Sequence, residues 1–217
     1  MKKILMVITV PLLLMIFCTA SLATPMQWET SQGGNGHWYE LITKNDGISW
    51  TDANNIATNK TYNGNSGNLA SITSEEENKF VSNLINNAGF SWPSNNYGPW
   101  LGGLGSATRT DSNSPWVWTW SWSDGEAWGY EKWAPSQPNG VANIVENELY
   151  YLHYYPVSSG GGNKSWNDTG VNGYSSSLVK GYVVEYSNTH SPVPEPATMF
   201  LLGMGLLGVA RVSRKRA

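Results

Sequence analysis

The sequence predicts an α+β domain, with two helices before residue 90 and short strands separated by long loops after it. Two segments in the first half pair a helix cap with apolar residues on adjoining turns. Beyond Gly89 that spacing vanishes, and short aromatic runs alternate with Gly, Ser, Asn and Pro connections. Helices and strands segregated along the chain indicate α+β packing rather than a parallel α/β sheet. The composition agrees with a single globular unit. Only 13% of the 217 residues are charged, while 12 are Trp and 11 are Tyr, too many aromatics for a disordered chain. No run of about 20 apolar residues interrupts the middle, which excludes a multi-pass membrane protein.

Taken in order, Thr24 to Gly36 is polar and Gly-rich and reads as a leader. His37 to Ile42 alternates in the manner of a strand. Ser49 caps a short helix carrying Trp50, Ala53, Ile56 and Ala57, and residues 59–68 read as loop. Ser74 and Glu77 form a capping box that opens a second helix. Its apolar stripe is Phe80, Val81, Leu84 and Ile85, and Gly89 ends it. Glu75, Glu76 and Glu77 at that N-terminus read as solvated complements to the helix dipole. Strands are predicted at 100–104, 116–120, 148–153 and 181–186. There is no internal repeat, and residues 158–163 and 175–177 are small-residue loops.

Both ends read as targeting segments. Lys2 and Lys3 precede an apolar run from Ile4 to Ala20, and Ser21 and Ala23 are the small residues of a cleavage point after Ala23. Residues 1–23 are thus a secretory signal peptide, to be removed by signal peptidase. At the other end Val193, Pro194, Glu195 and Pro196 precede the apolar run 197–210 and the basic residues Arg211, Arg214, Lys215 and Arg216. As a helix the run spans about 21 Å, short of the roughly 30 Å hydrocarbon core. The trailing cations hold it with its end on the cytoplasmic side. This order of motif, apolar helix and basic finish resembles the bacterial PEP-CTERM sorting signal over residues 193–217. The resemblance implies a transmembrane helix transiently in the inner membrane, cleavage by an exosortase, and release or attachment at the cell surface or in the extracellular matrix. Residues 187–192 are a linker.

Without the two ends, residues 24–191 keep 7 of the 13 Lys and Arg and 15 of the 16 Asp and Glu, a net charge of −8. So acidic a surface repels phosphate backbones and excludes nucleic acid as a partner. Calcium or neutral polar ligands suit it. The single cysteine, Cys18, leaves with the signal peptide, so burial must stabilise the exported domain without a disulfide.

Several segments, in order, carry a further resemblance. They are Ser49 to Ala53; Leu69 to Ile72 with the following Ser74 to Asn78; Trp100 to Leu104; and Trp122 to Gly125 with Tyr130 and Trp133 to Pro135. Gln137 to Asn139, Glu146 with Asn147, Trp166 to Asp168, and Gly181 to Glu185 complete the series. Over residues 37–186 the chain resembles the C-type lectin-like domain, which implies two helices, short antiparallel sheets and long loops. The positions of the family's usual cysteines fall at Ala57 and Val184, and at Glu148 and Val171, so the usual disulfides are lacking.

The resemblance also implies a calcium site, with Gln137, Asn139, Glu146, Asn167 and Asp168 as metal ligands and Pro138 as a cis-proline candidate. Calcium takes six to eight oxygens. In the family two vicinal sugar hydroxyls bind the ion and hydrogen-bond its ligands, each hydroxyl between an amide donor and a carboxylate acceptor. Glu146 and Asn167 frame one hydroxyl that way. Gln137 and Asn139 are both amides, so the other hydroxyl meets donors only. Two carboxylates in place of the family's three weaken calcium binding. The expectation is a weak calcium site for a neutral carbohydrate or exopolysaccharide, with Trp128 and Tyr130 stacking on sugar faces. Trp166 and Trp133 are expected in the core. The alternative is a calcium-independent surface or matrix adhesion module on the same fold.

An enzyme is not expected. The three histidines, His37, His153 and His190, form no His-Glu-x-x-His motif, no thiol survives maturation, and no nucleophile-elbow or phosphate-binding glycine motif occurs. Glu146 and Asp168 are the obvious carboxylate pair for a glycosidase, and the calcium reading accounts for both.

Overall fold

The structure, a computed structural model, describes residues 24–93, 97–140, 144–156, 164–170 and 178–187. Strand β9 (Gly181–Ser187) runs through its centre. On one side it pairs antiparallel with β2 (Trp38–Thr43), which pairs in turn with the short β1 (Met26–Gln27). On the other it pairs antiparallel with β4 (Asn65–Leu69), itself paired with β3 (Thr61–Tyr62). A single parallel pair, Trp100 with Tyr182, joins β9 to β5 (Trp100–Thr108). Strand β5 then pairs antiparallel with β6 (Val117–Trp122) and with β7 (Tyr150–Tyr155), and β7 pairs with β8 (Ser165–Gly170).

Every residue of β9 is buried, and its alternating side chains divide the core. Tyr182, Val184 and Tyr186 pack with helix α1 (Trp50–Thr58) through Trp50, Ala53 and Ala57. Val183 packs with α2 (Glu75–Asn87) through Val81, Leu84 and Ile85. The α1 cap is Ser49, which accepts the Asp52 N–H, and the α2 cap is Ser74, which accepts the Glu77 N–H. Ala57 and Val184, where the resemblance implies cysteines, are both fully buried in one apolar cluster. Glu148 is half-buried, and Val171 lies outside the described residues.

The structure corrects the sequence in several places. Residues 59–68 are not all loop, since β3 and most of β4 lie there. Gly67 allows this close approach, because a Cβ would come within 2.6 Å of the Ala57 carbonyl oxygen. Ile56 is 40% exposed, since the short α1 buries only one face. Glu77 is not solvated but 1% exposed. It accepts hydrogen bonds from the Tyr39 hydroxyl and, at 2.7 and 2.8 Å, from the Thr73 N–H and hydroxyl. The stretch ahead of residue 37 is packed: β1 extends the sheet and Trp28 is buried. Strands β5, β6 and β7 end later than predicted, and Trp122 closes β6 in the core.

The signal segment 1–23, most of the linker and the sorting tail, including Val193 to Pro196 and the apolar run 197–210, lie outside the described residues. Among the described residues no helix is long and apolar enough to cross a membrane.

Candidate functional site

The two segments expected to share a site are hydrogen-bonded to each other. Strand β8 sets Trp166, Asn167 and Asp168 opposite Tyr154, His153 and Leu152 of β7. Residues 132–134 run along β8: Trp166 N–H donates to the Lys132 carbonyl at 2.7 Å, and Ala134 N–H to the Trp166 carbonyl at 2.9 Å. The chain then turns through Ser136, at φ +65°, and the Gln137–Pro138 bond is cis. Asp168, with no exposed surface, fastens the far side of this bend. Its Oδ1 accepts the Asn139 N–H at 2.9 Å and its Oδ2 the Gly140 N–H at 2.8 Å. Burial pushes the Asp168 pKa up, and the two N–H donors pull it back.

Two amide oxygens here have no hydrogen-bond partner among the described residues although both are buried: Gln137 Oε1 and Asn167 Oδ1. The orientation of Asn167 follows from its neighbour. His153 is fully buried and its Nδ1 lies 2.7 Å from the Tyr154 carbonyl, an acceptor, so Nδ1 carries the proton. Burial holds the ring pKa down at about 4, so at neutral pH Nε2 is bare. It faces Asn167 Nδ2 at 3.3 Å and accepts from it, which turns Asn167 Oδ1 away. An unpaired buried polar atom costs about 1–3 kcal/mol. Buried carbonyl oxygens without donors beside a carboxylate are a donor set that fits a hard divalent cation.

His153 is a positioning residue that sequence reasoning did not select, since its place across the sheet from Asn167 arises only in the fold. It also sets a pH dependence. An unfolded histidine titrates near 6.5 and this folded one at about 4, so between those values the unfolded chain binds the extra proton. The His153 contribution, on the order of 3 kcal/mol, is therefore present above pH 6.5 and lost as pH falls toward 4. An NMR titration of the folded chain is expected to place the His153 inflection near pH 4. His37, held up by its hydrogen bond to Glu185, should stay protonated to higher pH than an ordinary histidine. A His153 inflection near 6.5 would contradict this arrangement.

Glu146 is the exposed carboxylate of the predicted set. It lies on an exposed turn after residues 141–143, which are outside the described set. The turn is held by the Asn147 N–H donating to the Ala107 carbonyl at 3.1 Å and the Val145 N–H to the Tyr150 hydroxyl at 2.8 Å. Asn139 is exposed at the tip of the bend.

Trp128 and Tyr130 are half-buried in an aromatic cluster around Trp166, which is fully buried. Trp128 stacks on Trp120 with centroids 5.8 Å apart, tilts against Trp122 at 4.7 Å, and donates its indole N–H to Glu131 at 2.9 Å. Tyr130 meets Trp166 edge-on at 5.5 Å and donates its hydroxyl to Glu75 at 2.5 Å. Trp133 packs against the same core, and Trp116 lies under Arg109 at 4.3 Å.

Comparison with known proteins gives one sequence match and a set of structural likenesses. Residues 192–216 match the PEP-CTERM protein-sorting motif. No curated protein matches the chain. Among solved structures the chain is similar to human lithostathine at 24% identity, covering 70% of this chain and 92% of that one, with a TM-score of 0.46. It is similar to the C-type lectin CEL-I from Cucumaria echinata at 22% identity, covering 70% and 90%, with a TM-score of 0.45. It is also similar to CEL-IV at 17% identity, covering 73% and 92%, with a TM-score of 0.49.

Proposed function

We propose that the chain is an exported, surface-sorted lectin-like protein that binds neutral carbohydrate through a weak calcium site. The observation that carries the reading is the pair of buried, partnerless oxygens, Gln137 Oε1 and Asn167 Oδ1, on two segments that Asp168 ties together. Gln137, Asn139, Glu146, Asn167 and Asp168 would hold the ion, which when bound supplies a Lewis-acidic point for sugar hydroxyls. The amides then donate to those hydroxyls, and Glu146 accepts from one of them. Trp128 and Tyr130 would supply sugar-facing edges while serving in the core. Export follows from the signal peptide 1–23 and the sorting motif. Exosortase would cut near Val193 to Pro196, with residues 197–210 in the inner membrane until then, leaving the product at the cell surface or in the matrix.

The test is binding of the exported chain to a glycan array with and without a calcium chelator. The expected result is binding that the chelator abolishes and that strengthens in Asn139→Asp, where a carboxylate restores the missing acceptor and adds a third charged ligand. Unchanged calcium affinity in Asn139→Asp would count against the site.

A calcium-independent adhesion module is the second reading. What favours it is that both Asp168 oxygens already accept backbone N–H groups, so the bend is held with no ion. Array binding that survives chelation would support it.

A further inference from the structure

A second cluster of ligating side chains lies away from the bend. His37 precedes β2, Glu126 lies in the loop after β6, and Glu185 is on β9. One ligand atom from each falls within 4.8 Å of the others, with His37 Nδ1 2.5 Å from Glu185 Oε1. Glu185 is 1% exposed, whereas His37 and Glu126 are half-buried, so the cluster opens toward solvent on their side. Ser71 N–H donates to Glu185 Oε2 at 3.0 Å and orients it, while the Tyr39 hydroxyl, whose proton goes to Glu77, lies 3.1 Å from Oε1.

Charge around the cluster is unbalanced. Glu77 bonds to the same Tyr39 hydroxyl, and Asp124 accepts from the Ser71 hydroxyl at 2.8 Å and the Glu126 N–H at 3.0 Å. Three carboxylates, Glu185, Glu126 and Glu77, thus act on one imidazole, with Asp124 behind Glu126. Among the described residues no Lys or Arg pairs with any of the four; Lys60 pairs with Glu40, and Lys79 and Lys132 with Glu75. The Glu126 carboxylate makes no hydrogen bond to the described residues. Burial and the neighbouring Asp124 and Glu77 raise its pKa to about 7, against a smaller opposing pull from His37.

We infer that His37, Glu126 and Glu185 form a binding site for a zinc-class divalent cation, independent of the calcium site. One imidazole and two carboxylates, with a solvent-facing side for water, make a four-coordinate nitrogen and oxygen set that suits zinc. Calcium, which takes six to eight oxygens, fits it poorly. The outer donor Ser71 fixes the buried carboxylate as such partners commonly do at metal sites. Binding displaces the proton shared by His37 and Glu185, and the two half-buried side chains close on the ion.

The test uses the exported chain freed of metal, with zinc for stability and cobalt as the spectroscopic probe. At free zinc near 100 times Kd the melting temperature is expected to rise by about 5–10 °C. Cobalt should give a low-symmetry visible spectrum, and excess calcium should abolish neither signal. His37→Gln and Glu126→Gln should each weaken zinc binding more than about tenfold, while calcium-dependent sugar binding is retained. If His37→Gln does not fold, the half-buried Glu126→Gln decides alone. No thermal shift and no cobalt spectrum in the parent chain would overturn the assignment, as would zinc binding that survives the substitutions; in the first case the cluster holds only a proton.

Discussion

Trp166→Ala is expected to destabilise the domain by about 3–5 kcal/mol, the range for removing a buried tryptophan. Its ring has no exposed surface and meets Trp122 edge-on at 5.8 Å, Tyr130 at 5.5 Å and Trp133 at 6.0 Å. Its indole N–H donates to Asn78 Oδ1 at 3.1 Å, linking β8 to α2. In a domain of this size the loss corresponds to a fall of roughly 6–20 °C in Tm. Thermal unfolding checks it, and a fall of less than about 2 °C would contradict the central place given to this ring. Trp166→Phe keeps most of the apolar surface and loses the donor, so it should fall between the two.

Asp168→Ala is expected to abolish calcium-dependent sugar binding and to loosen the bend. The substitution strips the acceptor from the Asn139 and Gly140 N–H groups at once. Each buried donor left unpaired costs about 1–3 kcal/mol, so the combined loss is about 2–6 kcal/mol where water does not enter. Asp168→Asn separates the two effects. Its amide oxygen still accepts one N–H while the negative charge is gone, so calcium binding should weaken more than stability does. Denaturant unfolding and calorimetric calcium titration of both variants check this. Equal calcium affinity in Asp168→Asn and the parent would remove Asp168 from the site.

Much of the fold was legible in the sequence because its signals are local. Ser49 and Ser74 accept the amides that their cap positions predict. The stripe Val81, Leu84 and Ile85 is buried as its spacing demands. What escaped depends on partners distant in sequence. Strand β4, Asn65–Leu69, has the composition of a loop and becomes a strand because the fully buried β9 offers it a backbone partner. Glu77 has the sequence position of a solvated N-terminal acid, but Tyr39, 38 residues earlier, brings a hydroxyl to it inside the core. The candidate site divides in the same way. Residue types at 137, 139, 146, 167 and 168 were readable through the resemblance. The Asp168 bonds to the bend, the tautomer of His153 and the two partnerless oxygens arise only when β7, β8 and the bend meet in space.

The sharpest test of the calcium reading is a crystal structure of the exported chain grown in calcium well above the 10⁻⁴–10⁻³ M dissociation constants common for extracellular modules. The account predicts one ion with Gln137 Oε1 and Asn167 Oδ1 among its ligands, at about 2.3–2.6 Å. A structure in which both oxygens instead accept hydrogen bonds from water or protein, with no ion between the bend and β8, would contradict it.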